Sequence, residues 1–99
     1  MVDLPAGRQG TRILIMYYFY VLENSKRELY KGITNNIDRR INEHNKNKSI
    51  GTRGKGPWIL VYFEKHKNRE NARAREKYFK TGCGRDELKN IILNYNKGV

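Results

Sequence analysis

The chain has 99 residues, enough for one domain with one modest hydrophobic core. Its formal net charge of +11 attracts polyanions, with nucleic acid as the first candidate. An anionic membrane is disfavoured, because no basic helix with a broad apolar face is recognisable and the apolar run at 13–22 is too short to span a bilayer. The single cysteine, Cys83, excludes an internal disulfide and a cysteine-rich zinc site and favours a reducing cytoplasm.

The first residues differ in character from the rest. Residues 1–11 contain proline and glycine and show no hydrophobic periodicity, which is typical of a disordered leader. Met16 directly precedes the first strand-like run and is an alternative natural start. We therefore expect a leader over residues 1–15 and one domain over residues 16–97.

A β-hairpin followed by a helix is predicted next. Residues 17–23 and 28–34 are rich in aromatic and β-branched residues, and the polar residues 24–27 between them suit a turn. Asn35 or Asn36 can then cap a helix over residues 37–46 by accepting a backbone N–H.

Helical periodicity separates two neighbouring arginines in this helix. Arg40 and His44 border the apolar stripe, whereas Arg39 points to the opposite side and is expected to be solvated. An anion bound between Arg40 and His44 would relieve the repulsion within that i,i+4 pair. The alternative is structural, with the stem of Arg40 covering the edge of the core and His44 a capped surface residue.

Residues 45–56 form a basic loop with three glycines. A loop of this length is usually functional, although a merely solvated loop has the same composition. The side chains that suit phosphate contacts are Lys46, Lys48, Arg53 and Lys55, with the hydroxyls of Ser49 and Thr52. The apolar run 58–64 is predicted to be a strand at the centre of the sheet.

The second predicted helix spans residues 68–81, with Gly82 as the C′ residue after its end. On this helix Glu76 shares a narrow face with Ala72 and Phe79. A carboxylate held against a core is costly unless it is paired or binds a cation. An ion pair with Arg40 or a lysine and a bound metal ion therefore both remain open.

The third predicted helix spans residues 86–95 and covers the core, because its apolar residues recur at i, i+3, i+4 and i+7: Leu88, Ile91, Ile92 and Tyr95. The predicted fold class is α/β, in the form of a small α+β sandwich. It comprises a three-stranded mixed or antiparallel sheet flanked by three helices.

Four short motifs carry a resemblance to a known family: Tyr18-Phe19-Tyr20, Tyr30-Lys31-Gly32, Arg40 and His44. Their order and spacing resemble the GIY-YIG nuclease superfamily, and within it the small stand-alone proteins related to the nuclease domain of the repair excinuclease. The chain departs from the family pattern in its first tripeptide. In the second, Lys31 replaces an isoleucine, so whether this side chain faces solvent or substrate stays open.

The resemblance implies hydrolysis of DNA phosphodiester bonds with one Mg²⁺ or Mn²⁺ ion. It assigns Glu76 as the sole protein ligand of the metal, Arg40 to the scissile phosphate and Tyr30 as general base. Tyr20 would orient water or phosphate, and His44 would relay a proton or assist Tyr30. Cross-strand aromatic packing is the structural alternative for both tyrosines.

The remaining site residues follow from the same resemblance and from charge. Lys80 fits the family pattern, and we expect both Lys31 and Lys80 to contact nucleic acid beside the basic loop. Gly32 would let backbone or substrate approach closely.

Three functions compete at this point. The first is a metal-dependent endonuclease that nicks structured or damaged DNA in repair or recombination. The second is a non-catalytic module that binds DNA or RNA, and the third is a basic partner of RNA or of a ribonucleoprotein. The presence of Tyr30, Arg40 and Glu76 together favours the first.

Overall fold

A computed structural model describes the backbone of residues 15–97 and the side-chain burial of residues 15–94. The predicted leader, except for Ile15, lies outside the described residues. The elements are β1 (Tyr17–Glu23), β2 (Leu29–Thr34), α1 (Ile37–Asn45), a 3-10 turn (Ile50–Thr52), β3 (Ile59–His66), α2 (Arg69–Tyr78) and α3 (Gly82–Lys97). The predicted α+β architecture of three strands and three helices is confirmed. Among the described helices, none is long and apolar enough to cross a membrane.

The sheet is antiparallel, with the strand order β2-β1-β3. The predicted central position of residues 58–64 is therefore wrong, because β1 is central and β3 lies at an edge. Consistent with an edge, Ile59 and Phe63 of β3 are 60% and 50% exposed. The apolar run of β3 was misleading, because the central strand is the one that pairs with both others, and that strand is β1.

β1 is buried on both faces, and its alternating side chains divide the core into two parts. Phe19 and Val21 pack with Phe79 of the α2 end and with residues of α3. Tyr20 and Leu22 point to the opposite face. There they form a second cluster with Trp58, against which Ile41 of α1 also packs. The second face is the one on which α1 and the basic loop lie.

Side-chain caps begin the first two helices. Asn36 accepts the backbone N–H of Arg39 at 3.0 Å, as predicted for α1. Asn68 likewise accepts the backbone N–H of Asn71 at 2.8 Å at the start of α2. Satisfying these otherwise unpaired amides sets the residue at which each helix starts.

The junction of α2 and α3 differs from the prediction. α2 ends at Tyr78, and Gly82 is the first residue of α3, so Gly82 is not a C′ residue and α3 begins four residues before the predicted start. Gly84 makes this possible, because a Cβ there would overlap the carbonyl oxygen of Tyr78. The predicted core role of α3 is confirmed by the burial of Leu88 and Ile92, while the side chain of Tyr95 lies outside the described residues.

A carboxylate ties α2 to the sheet. Glu64 of β3 accepts hydrogen bonds at 2.9 Å from both Nε and Nη2 of Arg75, and one at 2.6 Å from the Tyr62 hydroxyl. The Arg75 guanidinium also lies 4.5 Å from the centre of the Phe79 ring. Burial alone raises the pKa of Glu64, but the hydrogen bonds from Arg75, Tyr62 and His66 outweigh it, so the pKa lies below the usual range.

Replacing Glu64 with Gln should lower the free energy of unfolding by about 1–3 kcal/mol, because a neutral amide cannot serve as a charged acceptor for both guanidinium bonds. Urea denaturation at neutral pH measures the loss. Glu70→Gln on the exposed side of α2 is the control and should lose only about 0.3–0.5 kcal/mol through its place in the first turn.

The difference in stability between the parent and Glu64→Gln should depend on pH. Since the pKa of Glu64 is lower in the folded state, its contribution is complete above the unfolded carboxyl pKa of about 4.3 and is lost as the pH falls through the folded value. The stabilities of the parent and Glu64→Gln should therefore converge in strong acid. A difference that did not change with pH would contradict the charged role of Glu64.

Candidate active site

The site is built around the side chain of Tyr20, which is 1% exposed. Tyr20 pairs with Gly32 of β2, and its ring lies directly over this glycine. A Cβ at Gly32 would lie 2.8 Å from the Tyr20 hydroxyl oxygen. The missing side chain lets the Tyr20 hydroxyl extend across β2 to α1, where it lies 2.9 Å from Nε2 of His44.

His44 continues the polar chain away from Tyr20. Its Nδ1 lies 2.7 Å from Oγ1 of Thr52, and both residues are 0% exposed. Burial, and after it the positive charge of Arg40, lower the pKa of His44, so the ring is neutral near pH 7. The hydroxyls of Tyr20 and Thr52 can each donate or accept, which satisfies either tautomer of the ring.

This burial corrects two predictions. His44 is not a surface residue, and because both ring nitrogens have partners it does not share an anion with Arg40. The hydroxyl of Thr52 serves His44 and not a phosphate. Ser49 is also buried, with its oxygen 3.5 Å from Nη2 of Arg40. A sequence pattern shows that a hydroxyl is present, but its partner depends on how the loop folds back on α1.

Polar groups from three other elements act on the Tyr20 hydroxyl. Burial, the neighbouring Tyr30 and the carboxylate of Glu76 raise the pKa of Tyr20, Arg40 lowers it, and the net pKa is about 12. Electrostatic effects weaken with distance, so Tyr30 of β2, Arg40 of α1 and Glu76 of α2 lie within electrostatic range of this phenol. Of the five residues that the resemblance implied as catalytic, Tyr20, Tyr30 and His44 are thus in mutual contact, and the charges of Arg40 and Glu76 act on Tyr20.

Tyr30 lies beside Tyr20 on the same face of the sheet. Its ring centre is 4.7 Å from that of His44 and 6.3 Å from that of Tyr20. It also packs against the loop, since a Cβ at Gly51 would lie 3.3 Å from its ring. Both tyrosines therefore make the aromatic contacts expected of the structural alternative and also belong to the polar cluster.

Arg40 already has an anionic partner. Its Nη1 donates to Oε1 of Glu43 at 2.9 Å, and its side chain is 28% exposed. Arg39 is more exposed, as predicted, and lies 3.7 Å from the same carboxylate. The sequence interpretation missed Glu43, although its spacing from both arginines on one helix was a usable signal. Arg40 borders an open cleft of about 340 Å³, whose other polar lining residues include Thr34, Asn35, Arg39, Glu43 and Arg69.

Glu76 forms an ion pair with Nζ of Lys80 at 3.2 Å, so of the two predicted partners a lysine is the one in contact. Lys80 is 54% exposed and easily displaced, whereas the Glu76 side chain is 19% exposed. Within residues 15–97 no group of three or more His, Cys, Asp or Glu side chains is arranged to hold a metal. One carboxylate still suits Mg²⁺, which often takes one or two protein ligands and completes its shell with water and phosphate.

The basic loop is anchored at several points and is not merely solvated. The Asn45 side chain accepts the backbone N–H of Trp58 at 2.6 Å and donates to the Trp58 carbonyl at 3.1 Å. The Trp58 indole donates to the Thr52 carbonyl at 3.2 Å, and Asn24 donates to the Lys55 carbonyl at 3.1 Å. The four predicted basic contacts lie at exposed positions: Lys46, Lys48, Arg53 and Lys55.

Lys31 faces away from this cluster. It lies on the opposite side of β2 from Tyr30, and its Nζ donates to the Phe79 carbonyl at the end of α2 at 3.2 Å. Lys31 therefore cannot contact the same atoms as Tyr30.

Comparison with known proteins shows which family this chain matches. The family described as the GIY-YIG catalytic domain matches residues 16–89. A UPF0213 protein of Clostridium perfringens (strain 13 / Type A) is 46% identical over 66 residues, which are 66% of this chain and 71% of that protein. A UPF0213 protein of Bacillus licheniformis is 42% identical over 84 residues, covering 84% of this chain and 87% of that protein. The solution NMR structure of a UPF0213 protein of Bacillus halodurans is 32% identical, with a TM-score of 0.49, over 77% of this chain and 84% of that chain.

Replacing Gly32 with Ala should destabilise the fold by about 1–3 kcal/mol, because the added methyl group displaces the Tyr20 ring and its hydrogen bond to His44. Thermal unfolding measures the effect. In a Tyr20→Phe background the same substitution should cost less, since the closest atom is then absent.

Gly82→Ala is the matched control, because a Cβ at this position would have no atom within 4 Å and Gly82 is the first residue of α3. It should be neutral or stabilising by up to about 1 kcal/mol. Equal losses at both glycines would mean that crowding of Tyr20 is not the reason for Gly32.

Proposed function

The chain belongs to the GIY-YIG catalytic domain family, a family of nucleases that generally use divalent metal ions, and from this premise we propose that it is a metal-dependent endonuclease that hydrolyses DNA phosphodiester bonds. The observation that most supports the proposal is the contact cluster of Tyr20, Tyr30 and His44, with Arg40 and Glu76 close enough for their charges to act on Tyr20. Three different elements besides β1 must fold correctly to bring these groups together. The proposed substrates are structured or damaged DNA in repair or recombination.

Arg40 is the group that would hold the scissile phosphate. A guanidinium can bind two phosphate oxygens at once and can stabilise the negative charge that develops in the transition state. Its present partner, Glu43, lies in a partly exposed pair, so a phosphate can replace this carboxylate at little cost. Glu43 would then keep the guanidinium oriented before substrate binds.

The two tyrosines would have different roles toward the attacking water. Tyr20, with a pKa of about 12, stays protonated and orients water or phosphate by hydrogen bonding. Tyr30 would act as general base for the attacking water. His44, neutral and bonded on both nitrogens, would hold the Tyr20 hydroxyl in place at Nε2 while Thr52 fixes its ring at Nδ1, and would assist Tyr30 by packing against its ring.

Glu76 would hold one Mg²⁺ or Mn²⁺ ion after releasing Lys80. When bound, such a cation supplies Lewis-acid stabilisation of the leaving oxygen. Lys80, freed from the carboxylate, could then approach a phosphate of the same strand.

The charge distribution supports a nucleic-acid substrate. The net charge is +11, and the anchored loop holds four basic residues at exposed positions. The same side chains would also serve a non-catalytic module that binds DNA or RNA, and this alternative is tested by the cleavage experiment below. A DNA substrate and one exposed free cysteine, Cys83, fit action in a reducing cytoplasm.

Glu76→Gln should reduce cleavage by about 10²-fold or more while leaving DNA binding nearly unchanged, because it removes the one protein ligand of the metal and little of the phosphate-binding surface. The assay compares single-stranded, duplex, flap and junction DNA and RNA, each with Mg²⁺, Mn²⁺ or EDTA. Glu70→Gln, which removes the same charge from the exposed side of α2, should cleave like the parent.

Two results would count against the proposal. Cleavage by neither the parent nor the control, with tight binding retained, would support the non-catalytic module. Equal losses of binding and cleavage in Glu76→Gln would make Glu76 a structural partner of Lys80.

Arg40→Lys should lower the cleavage rate by about 10²-fold, because an ammonium keeps the charge but cannot bind two phosphate oxygens in a plane. Single-turnover kinetics separate this effect from binding. Arg39→Lys is the matched control on the same helix and should change the rate less than about twofold. Similar losses at both positions would show that α1 contributes only general positive charge.

A further inference from the structure

Four cations from three elements meet beside the proposed active site. Lys31 lies on β2 between Leu29 and Ile33, in the row of side chains that faces the core. Its Nζ donates to the carbonyl of Phe79, directly before Lys80 in the chain. Arg85 and Lys89 lie one turn apart on α3, which begins two residues after Lys80.

The packing places these cations close together, because Leu88 and Ile92 of α3 lie in the cluster against which Leu29 and Ile33 pack, and Lys89 lines one cleft with Leu29. Burial lowers the pKa of Lys31, and Arg85, Lys80 and Lys89 each lower it further by repulsion. In the described part of the chain, neither Lys31, Arg85 nor Lys89 has a carboxylate within ion-pair distance. Grouped like charges without a counter-charge are unfavourable, so the group needs another explanation.

Structural roles account for only part of the group. A lysine that points inward on an edge strand can prevent sheets from joining edge to edge, which would explain Lys31 alone. Cations are also favoured near the carbonyl end of a helix, which would explain Lys31 and Lys80 at the end of α2. Neither reason applies to Arg85, because it lies near the amino end of α3, where the helix dipole disfavours a cation.

An anion would satisfy all four residues together. The amino end of α3 favours negative charge, and an ammonium has three donors of which only one is used at Lys31 by Phe79. Lys80 connects this group with the proposed active site, because it directly follows Phe79 in the chain and its Nζ is paired with the carboxylate of Glu76. The anion would therefore lie next to the scissile bond, on the opposite face of β2 from Tyr30.

We propose that Lys31, Lys80, Arg85 and Lys89 form a second phosphate-binding site, which holds the backbone of the substrate strand beside the scissile phosphate. This inference rests on the proposed endonuclease function. A strand that contacts both faces of β2 must curve around this edge of the sheet. Single strands and flaps bend easily whereas duplex DNA is stiff, so the site favours substrates with an unpaired strand.

The test measures binding without metal, so that it does not depend on catalysis. A triple variant, Lys31→Met with Arg85→Gln and Lys89→Gln, is compared with the parent by fluorescence anisotropy on a single-stranded DNA 20-mer in EDTA over a range of salt concentrations. Methionine suits the row between Leu29 and Ile33, and a thermal melt verifies folding. Each lost phosphate contact should lower the slope of log affinity against log salt by about 0.7, so the triple variant should lose roughly 2.

The control removes the same charge elsewhere, through Lys26→Gln, Lys65→Gln and Lys67→Gln at exposed positions in the hairpin turn and at the end of β3. Its slope should match that of the parent. Equal decreases in both variants, or no decrease in either, would overturn the second site whether or not the parent cleaves DNA. If the triple variant alone loses slope and the parent cleaves nothing, phosphate binding by these residues stands, but the endonuclease proposal and the placement beside a scissile phosphate fail.

Discussion

The crossing of Tyr20 over Gly32 is the contact on which the rest of the site depends. It carries a phenol from the central strand to the edge of the sheet, where it meets His44 of α1. The contact chain continues through Thr52 to the carbonyl that receives the Trp58 indole. Because these polar groups are buried, each must form a hydrogen bond. A complete series of such bonds holds the strand, the helix and the loop in one arrangement.

The two faces of β1 separate the stability of the fold from the chemistry proposed for it. One face packs Phe19 and Val21 against α2 and α3, and the other carries Tyr20. Helix α2 serves both, because Arg75 is bonded to Glu64 of β3 while the next residue, Glu76, lies near Tyr20. The ion pair of Glu64 with Arg75 thus joins β3 to the helix that carries Glu76.

Carboxylates hold the functional cations in place in this strongly basic chain. Glu43 accepts from Arg40, and Glu76 accepts from Lys80, both in pairs that remain partly exposed. Such pairs contribute little stability, and a phosphate carries the same sign of charge as the group it replaces. Under the proposed function, a substrate phosphate would replace these partners, whereas the better buried Glu64 pair with Arg75 is the structural one.

The sequence by itself determined the hairpin, the cap at Asn36, the exposed position of Arg39 and the inward face of Glu76. All of these follow from local rules, since strand alternation, helical periodicity and capping act over a few residues. The tertiary structure alone decided that β1 and not β3 is central, that His44 is buried, that Thr52 serves His44, and that Lys31 lies across β2 from Tyr30. Those facts depend on which strands pair and on which distant residues come together, and no short window of residues contains that information.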